Sequence, residues 1–222
     1  MPRRTRDTFQ DESTRQRLLE AAGEQFAAAG FARTTVQSIC RQARANIAAV
    51  NYYFGGKENL YYETIKWGRK CCSGIDELQG RELADLPPEQ ALRRFIAESL
   101  RVLVSTKNPE WIFRIISREM ADPTPILDRF IREVVRTRRR CLHAIIERLG
   151  QGQLTPRQIE LIGLSIVGQY LYYHHCRAIV VRLYGKDAYT PQAIEERIDH
   201  ITAFSLAAIR GLIAEPERVF SS

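Results

Sequence analysis

Apolar residues recur at three- and four-residue spacing along almost the whole chain, a pattern that helices satisfy and strands do not. Leu18, Leu19, Ala22, Phe26 and Ala29 form one such stripe. Val36, Ile39, Cys40 and Ala43 form a second, and Leu60, Thr64, Trp67, Cys71, Ile75 and Leu78 a third. Further periodic stretches cover residues 89–105, 109–121, 125–149, 156–184 and 191–213, and strand-like alternation is hard to find. Breaks in the pattern coincide with Gly30, Gly55-Gly56, Pro87-Pro88, Asn108-Pro109, Asp122-Pro123, the 150–152 turn, Thr155-Pro156 and Thr190-Pro191. The last two pairs place Thr at a helix N-cap and Pro at the first helical position, where a missing N–H costs nothing. The expected fold is all-α, with about nine helices.

Composition narrows what such a chain does. Its 222 residues suit one large or two small domains, and 45% apolar residues suffice for a packed core. No run approaches the roughly 18 apolar residues of a membrane helix, and the start lacks a secretory apolar stretch, so a cytoplasmic chain without a membrane segment is expected. Cys40, Cys71, Cys72, Cys141 and Cys176 form no CxxC pair, which suits free thiols and excludes zinc-finger spacing. His174, His175 and Cys176 are adjacent, so on a helix they point about 100° apart and make a poor metal set. With no Gly-rich phosphate loop, nucleophile motif or metal-spaced His/carboxylate set, neither an enzyme nor a metal or cofactor is expected. The net charge of +7 divides into +3 over residues 1–60, none over 61–127 and +4 over 128–222. A basic balance suits nucleic acid, an anionic membrane or an acidic ligand, and only pattern separates them.

The pattern lies in residues 34–54. Thr35 can cap a two-turn helix over 35–43 and Asn46 another over 46–53, with Arg44-Ala45 as the tight turn between them. That is helix-turn-helix spacing. In the second helix Ile47, Val50 and Phe54 are expected to pack inward, leaving Ala48, Ala49, Asn51 and Tyr52 outside. Two alanines make a flat face that can lie deep in a major groove, with methyls against thymine and Asn against adenine. Thr35 with its helix start, the hydroxyls of Tyr52 and Tyr53, and Lys57 suit phosphate contacts.

From about Arg15 to Tyr62 the chain resembles the DNA-binding domain of TetR-family transcriptional regulators. The resemblance rests on Leu18-Leu19-Glu20-Ala21-Ala22, Phe26, Gly30-Phe31, Thr34-Thr35-Val36, Ile39, Ala43, Asn46, Val50, Asn51-Tyr52-Tyr53-Phe54 and Lys57-Glu58-Asn59-Leu60. It implies DNA-facing roles for Thr35, Gln37, Asn46, Ala48, Ala49, Tyr52, Tyr53 and Lys57, with Gln37, Ala48 and Ala49 nearest the bases. Two positions depart from the family pattern. Arg44 stands where the turn usually carries Gly, so the turn bends differently or Arg44 adds a phosphate contact; Asn51 stands where Tyr is commonest. Arg118 to Asp128 (REMADPTPILD) is similar to the CecR-like branch, whose regulators are associated with drug export and tolerance.

Residues 1–12, polar and basic at their start, are expected as a mobile basic arm; the resemblance implies 13–60 as a three-helix DNA-binding domain and 61–222 as a helical bundle for effector binding and dimerisation. Trp67, Cys71, Phe95, Leu103, Trp111 and Met120 are candidate apolar walls of an effector cavity, with Arg114, Arg118 and His174 as polar handles. Core packing is the commoner role for any one of these residues. The last two helices are expected to form a homodimer that sets two reading helices on a palindromic double-stranded operator, released by a small-molecule effector. A transcriptional activator of the same fold is the alternative. So is a non-specific nucleic-acid or membrane-surface protein, motivated by Arg136, Arg138, Arg139 and Arg140 with the flanking Arg129 and Arg132, of which 129, 132, 136, 139 and 140 would form one basic helix side.

Overall fold

A computed structural model of the chain describes residues 4–71, 80–105 and 109–214. Every regular element among them is helical: α1 (Arg4–Arg33), α2 (Val36–Ala43), α3 (Ile47–Phe54), α4 (Lys57–Cys71), α5 (Gly80–Ala84), α6 (Pro88–Val104), α7 (Glu110–Ala121) and α8 (Pro125–Phe130). A π-helical turn (Ile131–Val135) leads from α8 into α9 (Arg136–Gly150). There follow α10 (Pro156–His175), α11 (Arg177–Tyr184), a 3-10 turn (Lys186–Tyr189) and α12 (Pro191–Ala214).

Three boundaries differ from expectation. α1 begins at Arg4, so most of the segment expected as a mobile arm is helical, and its only non-helical residue is Gly30, at φ 80° and ψ 168°. The stretch over 125–149 carries a π turn that periodicity does not reveal. The stretch over 156–184 breaks at Cys176, where φ −97° and ψ 18° end α10 with neither Gly nor Pro to announce it.

The chain forms two compact units, one from Met1–Ser73 with Lys107–Arg132, the other from Gly74–Thr106 with Glu133–Ser222. These units follow packing; the partition into 1–12, 13–60 and 61–222 is one of roles and belongs to the functional proposal.

In the first unit α1 packs on α2, α4 and α7. Leu18, Leu19, Ala22 and Phe26 of α1 are buried with Ile39, Val50, Phe54 and Leu60. The Phe26 ring meets Tyr61 edge-on at 4.6 Å. Trp111 of α7 fits between Gly23 of α1 and Gly68 of α4, where an added Cβ would come within 2.5 and 2.6 Å of the indole. Its other neighbour is Trp67, stacked at 5.9 Å and 11°. Glu119, at 4% exposure, accepts Tyr61 Oη at 2.7 Å, while the Thr124 N–H and Oγ1 both lie 3.0 Å from its carboxylate. Thr124 in turn caps α8. The REMADPTPILD segment thus clasps α7 to α4 and starts α8.

In the second unit Leu92, Phe95, Ile96 and Leu100 of α6 are buried with Leu142, Ile145 and Ile146 of α9, Ile162 and Ile166 of α10, and Ile198 and Ile201 of α12. Thr155 and Gln158 close a capping box at the start of α10, with Pro156 at its first turn as expected. Arg93 and Arg101 pair with Glu195 and Asp199 on α12; these solvent-facing pairs add little stability.

Candidate nucleic-acid interface

The chain enters α2 through Thr34, whose buried hydroxyl donates to the Gly30 carbonyl at 2.8 Å and ties the entry to the kink in α1. Thr35 is extended, and its Oγ1 accepts the Ser38 N–H at 3.1 Å. The N–H groups of Val36 and Gln37 have no acceptor within the helix, as at any helix start. Gln37 itself is exposed.

The turn after α2 is closed by Arg44 in the left-handed region, φ 50° and ψ 48°. Its N–H donates to Arg41 O at 3.3 Å, and the Ala45 N–H donates to Cys40 O at 2.9 Å. The missing glycine therefore leaves the bend intact, with a residue whose Cβ disfavours that conformation. Arg44→Gly is expected to stabilise the chain by about 0.5–1 kcal/mol. Urea denaturation checks this, and a lowered midpoint would contradict it.

Asn46 caps α3, its Oδ1 accepting the Ala48 N–H at 3.1 Å. Val50 and Phe54 are buried and Tyr53 is half-buried. Ile47, expected inward with them, is 43% exposed, and Ala49, expected outside, is only half-exposed. The cause is rotational: Val50, Phe54 and Tyr53 set the buried side, which turns Ile47 out and Ala49 to the flank. The outward face is therefore Ile47, Ala48, Asn51 and Tyr52. Tyr52 is 77% exposed, and its ring stands edge-on to Tyr53 at 5.0 Å, which orients a side chain otherwise in solvent.

Lys57 has an internal role as well. Its Nζ donates to Ala32 O at 3.4 Å and sits 4.5 Å from the Phe31 ring centroid. An ammonium has three donors, so a phosphate contact remains open to it. Between Arg33 and Lys57 the chain carries Arg33, Arg41, Arg44 and Lys57 and no acidic residue. Arg41 and Arg44 are exposed. The absence of acid across this stretch is a signal the sequence holds and motif matching passes over.

The candidate effector residues fall into both units. In the first, Trp67 and Trp111 stack on each other, and Met120 is exposed. Arg114 pairs with Glu110 at 3.2 Å. Arg114 and Arg118 line an open groove of about 510 Å³ with Ala27, Phe113 and Ser117. In the second, Phe95 is buried, Leu103 is half-buried, and His174 Nδ1 lies 3.0 Å from the Leu103 carbonyl. Burial holds His174 below the usual imidazole range, helped by His175 and Arg177 and opposed by its bond to Leu103. The side chain of Cys71 lies outside the described residues. The expected basic side of 125–149 is divided: Arg129 stacks 3.5 Å from the Tyr62 centroid and donates to Asn59, while Arg132, Arg136, Arg139 and Arg140 are exposed. Among the described residues, no helix is long and apolar enough to cross a membrane.

Comparison with known proteins places these observations in a family. The model of the bacterial regulatory proteins of the tetR family matches residues 18–64, and that of the C-terminal domain of the HTH-type transcriptional dual regulator CecR matches residues 88–209. The dual regulator CecR of Shigella flexneri is 31% identical over 125 residues, covering 53% of this chain and 56% of that protein. The transcriptional repressor NicS of Pseudomonas putida is 33% identical over 88 residues, 40% of this chain and 41% of that one. The chain thus spans about half the length of the curated relatives it matches, or less. The crystal structure of HlyIIR, a hemolysin II transcriptional regulator, has the same fold, with a TM-score of 0.59 and 24% identity over 86% of this chain and 98% of that one. Regulators of this kind bind DNA operators and small-molecule effectors, form dimers and are generally not enzymes. A tetR-type model over the helix-turn-helix and a CecR-type model over more than half the chain leave one assignment: this chain belongs to the TetR family of transcriptional regulators, in its CecR-like branch.

Proposed function

We propose that the chain is a homodimeric repressor that holds a palindromic operator through α2 and α3 and is released by a small molecule, with drug-export or tolerance genes as targets. The observation that carries this reading is the outward face of α3, flat at Ala48, flanked by Tyr52 and set in a stretch without acidic residues. In this reading Thr35, Arg44, Tyr52, Tyr53 and Lys57 meet phosphates, and Gln37, Asn46, Ala48 and Ala49 lie toward base edges, joined by Ile47 and Asn51. Residues 1–12 add salt-sensitive contacts, 13–60 read the operator, and 61–222 bind effector and partner.

Dimerisation is supported by α10 and α12. Leu164, Tyr172 and Phe204 are large, apolar and exposed in the single chain, and a Cβ at Gly168 or Gly211 would meet open space. Pairing these helices with a second copy covers that face. An effector bound in the second unit can act where the chain passes between units, one crossing being at Arg132–Glu133 inside the π turn. Activation from the same architecture is the second reading, favoured by the name of the similar CecR, a dual regulator.

The test is binding of the purified chain to duplex DNA from its own upstream region and to a scrambled duplex across a salt series. The expected preference is about a thousandfold or more. Equal affinity for both duplexes would overturn the regulator reading in favour of a non-specific binder.

A further inference from the structure

In a single chain α11 turns its apolar side outward. Of its eight residues (RAIVVRLY) only Val180 is buried, while Ile179, Leu183 and Tyr184 are 52%, 66% and 72% exposed. Ile179 and Leu183 lie one turn apart and share a side, bordered by Ala178 and Arg182, both also exposed. Ten large apolar residues are exposed among the described residues; six of them fall between Leu164 and Phe204, and half of those six are on α11. Singly exposed apolar side chains are ordinary, whereas a contiguous group marks a surface that meets something else.

This outward side is fixed in place. Arg177, the first residue of α11, donates from Nη1 to the Val104 carbonyl at 3.3 Å and stacks 4.0 Å from the Tyr189 ring centroid. The 3-10 turn after α11 packs on it and is itself held: Tyr189 Oη donates to the Tyr173 carbonyl at 2.6 Å. The Arg197 guanidinium lies 4.5 Å from the Tyr173 centroid and 5.0 Å from that of Tyr189. The helix is thereby tied to α6, α10 and α12. A preorganised face loses little conformational freedom on docking. A segment that served only to join α10 to α12 would need neither this anchoring nor three large apolar side chains in water.

We propose that α11 docks on a second copy of this chain, extending the pairing face of α10 and α12. This rests on the homodimer reading above. Two observations select that occupant. The outward side of α11 continues the pairing face, since α11 follows α10 directly after Cys176 and packs on it. The pairing face also needs the addition: around Leu164, Tyr172 and Phe204 it exposes Gly168, Ala207 and Gly211, which let helices approach closely but cover little area each. A stable pair of chains buries about 800 Å² on each side. In a two-fold dimer one patch serves both copies, so α11 of each chain meets the partner's α10–α11–α12 face.

The test measures dimer dissociation of the full chain by sedimentation equilibrium, alongside hydrogen exchange. Ile179→Gln combined with Leu183→Gln, which keeps helix propensity, is expected to raise the dimer dissociation constant about tenfold or more, and Phe204→Gln likewise. Far-UV circular dichroism of the α11 variant should match the parent, because both side chains are exposed in the single chain. In the parent, α11 amides should exchange about tenfold more slowly where the dimer dominates than where it is dissociated. A dimer weakened by Phe204→Gln but not by the α11 variant would overturn the proposal and leave the homodimer. A parent chain that stays monomeric at about 100 µM would remove both. Exchange at α11 that ignores concentration would overturn the proposal whether or not the variant folds. So would parent binding to anionic phosphatidylglycerol vesicles that the α11 variant loses at an unchanged dimer constant, which would give the face to a membrane surface.

Discussion

Ala48→Glu is expected to lower operator affinity by about a hundredfold or more while shifting the melting temperature by less than about 2 °C. The two effects separate because Ala48 occupies the second residue of α3 on its exposed side. Folding should tolerate the change: the Asn46 cap uses the Ala48 backbone N–H, not its side chain, and a carboxylate in a helix's first turn is mildly favourable. DNA should not tolerate it. A flat methyl becomes a long anion inside a groove walled by phosphates, in a stretch that otherwise carries only positive charge. In a dimer the penalty is incurred in both half-sites. Fluorescence anisotropy with labelled operator, alongside a thermal melt, reads both numbers. An unchanged affinity would move the DNA-contacting surface away from α3. Lys57→Ala is a weaker probe, since Lys57 also holds Ala32 O and lies over Phe31, so a loss of affinity could arise from a shifted α1–α4 junction.

The reading head was legible because its signals are local. Thr35 and Asn46 cap two helices in the structure as their residue types and spacing imply, and the turn closes around Arg44 despite the missing glycine. The facing of α3 was not legible, because two turns of helix define a buried side through only two or three residues. Tyr53 proved to be one of them and Ile47 did not. Periodicity also could not show that the 156–184 stretch ends a helix at Cys176, or that 131–135 is a π turn, since neither interrupts the apolar spacing. For the effector residues, spacing identifies inward faces but not what they face. Trp111 fills the slot between Gly23 and Gly68, Met120 faces out, and Arg138, read in the sequence only as one of a basic run, lies half-buried against α6. A signal for it existed: Arg138 lies four residues before Leu142 and seven before Ile145, within their stripe, and nine after Arg129, on the opposite side of a regular helix.

Glu119→Ala is expected to cost the first unit about 3–5 kcal/mol and to lower its melting temperature by about 10 °C. The carboxylate is buried and gathers donors from two elements, the Tyr61 hydroxyl on α4 and the N–H and hydroxyl of Thr124 at the start of α8. Removing it strands these donors and leaves a void, and each unpaired buried donor costs roughly 1–3 kcal/mol. Burial and the bond to Glu119 push the Tyr61 phenol well above its ordinary range, so Tyr61 remains a donor at any working pH. Glu119→Gln should fall between the parent and Glu119→Ala, because an amide keeps one oxygen and turns its NH2 toward a donor. Tyr61→Phe, which removes one donor and adds no void, should cost about 1 kcal/mol, and with Glu119→Ala the two losses should be less than additive. Fully additive losses would mean that the two groups do not share the clasp. A Glu119→Ala chain as stable as its parent would release the REMADPTPILD segment from its structural role and return it to the list of candidate ligand contacts.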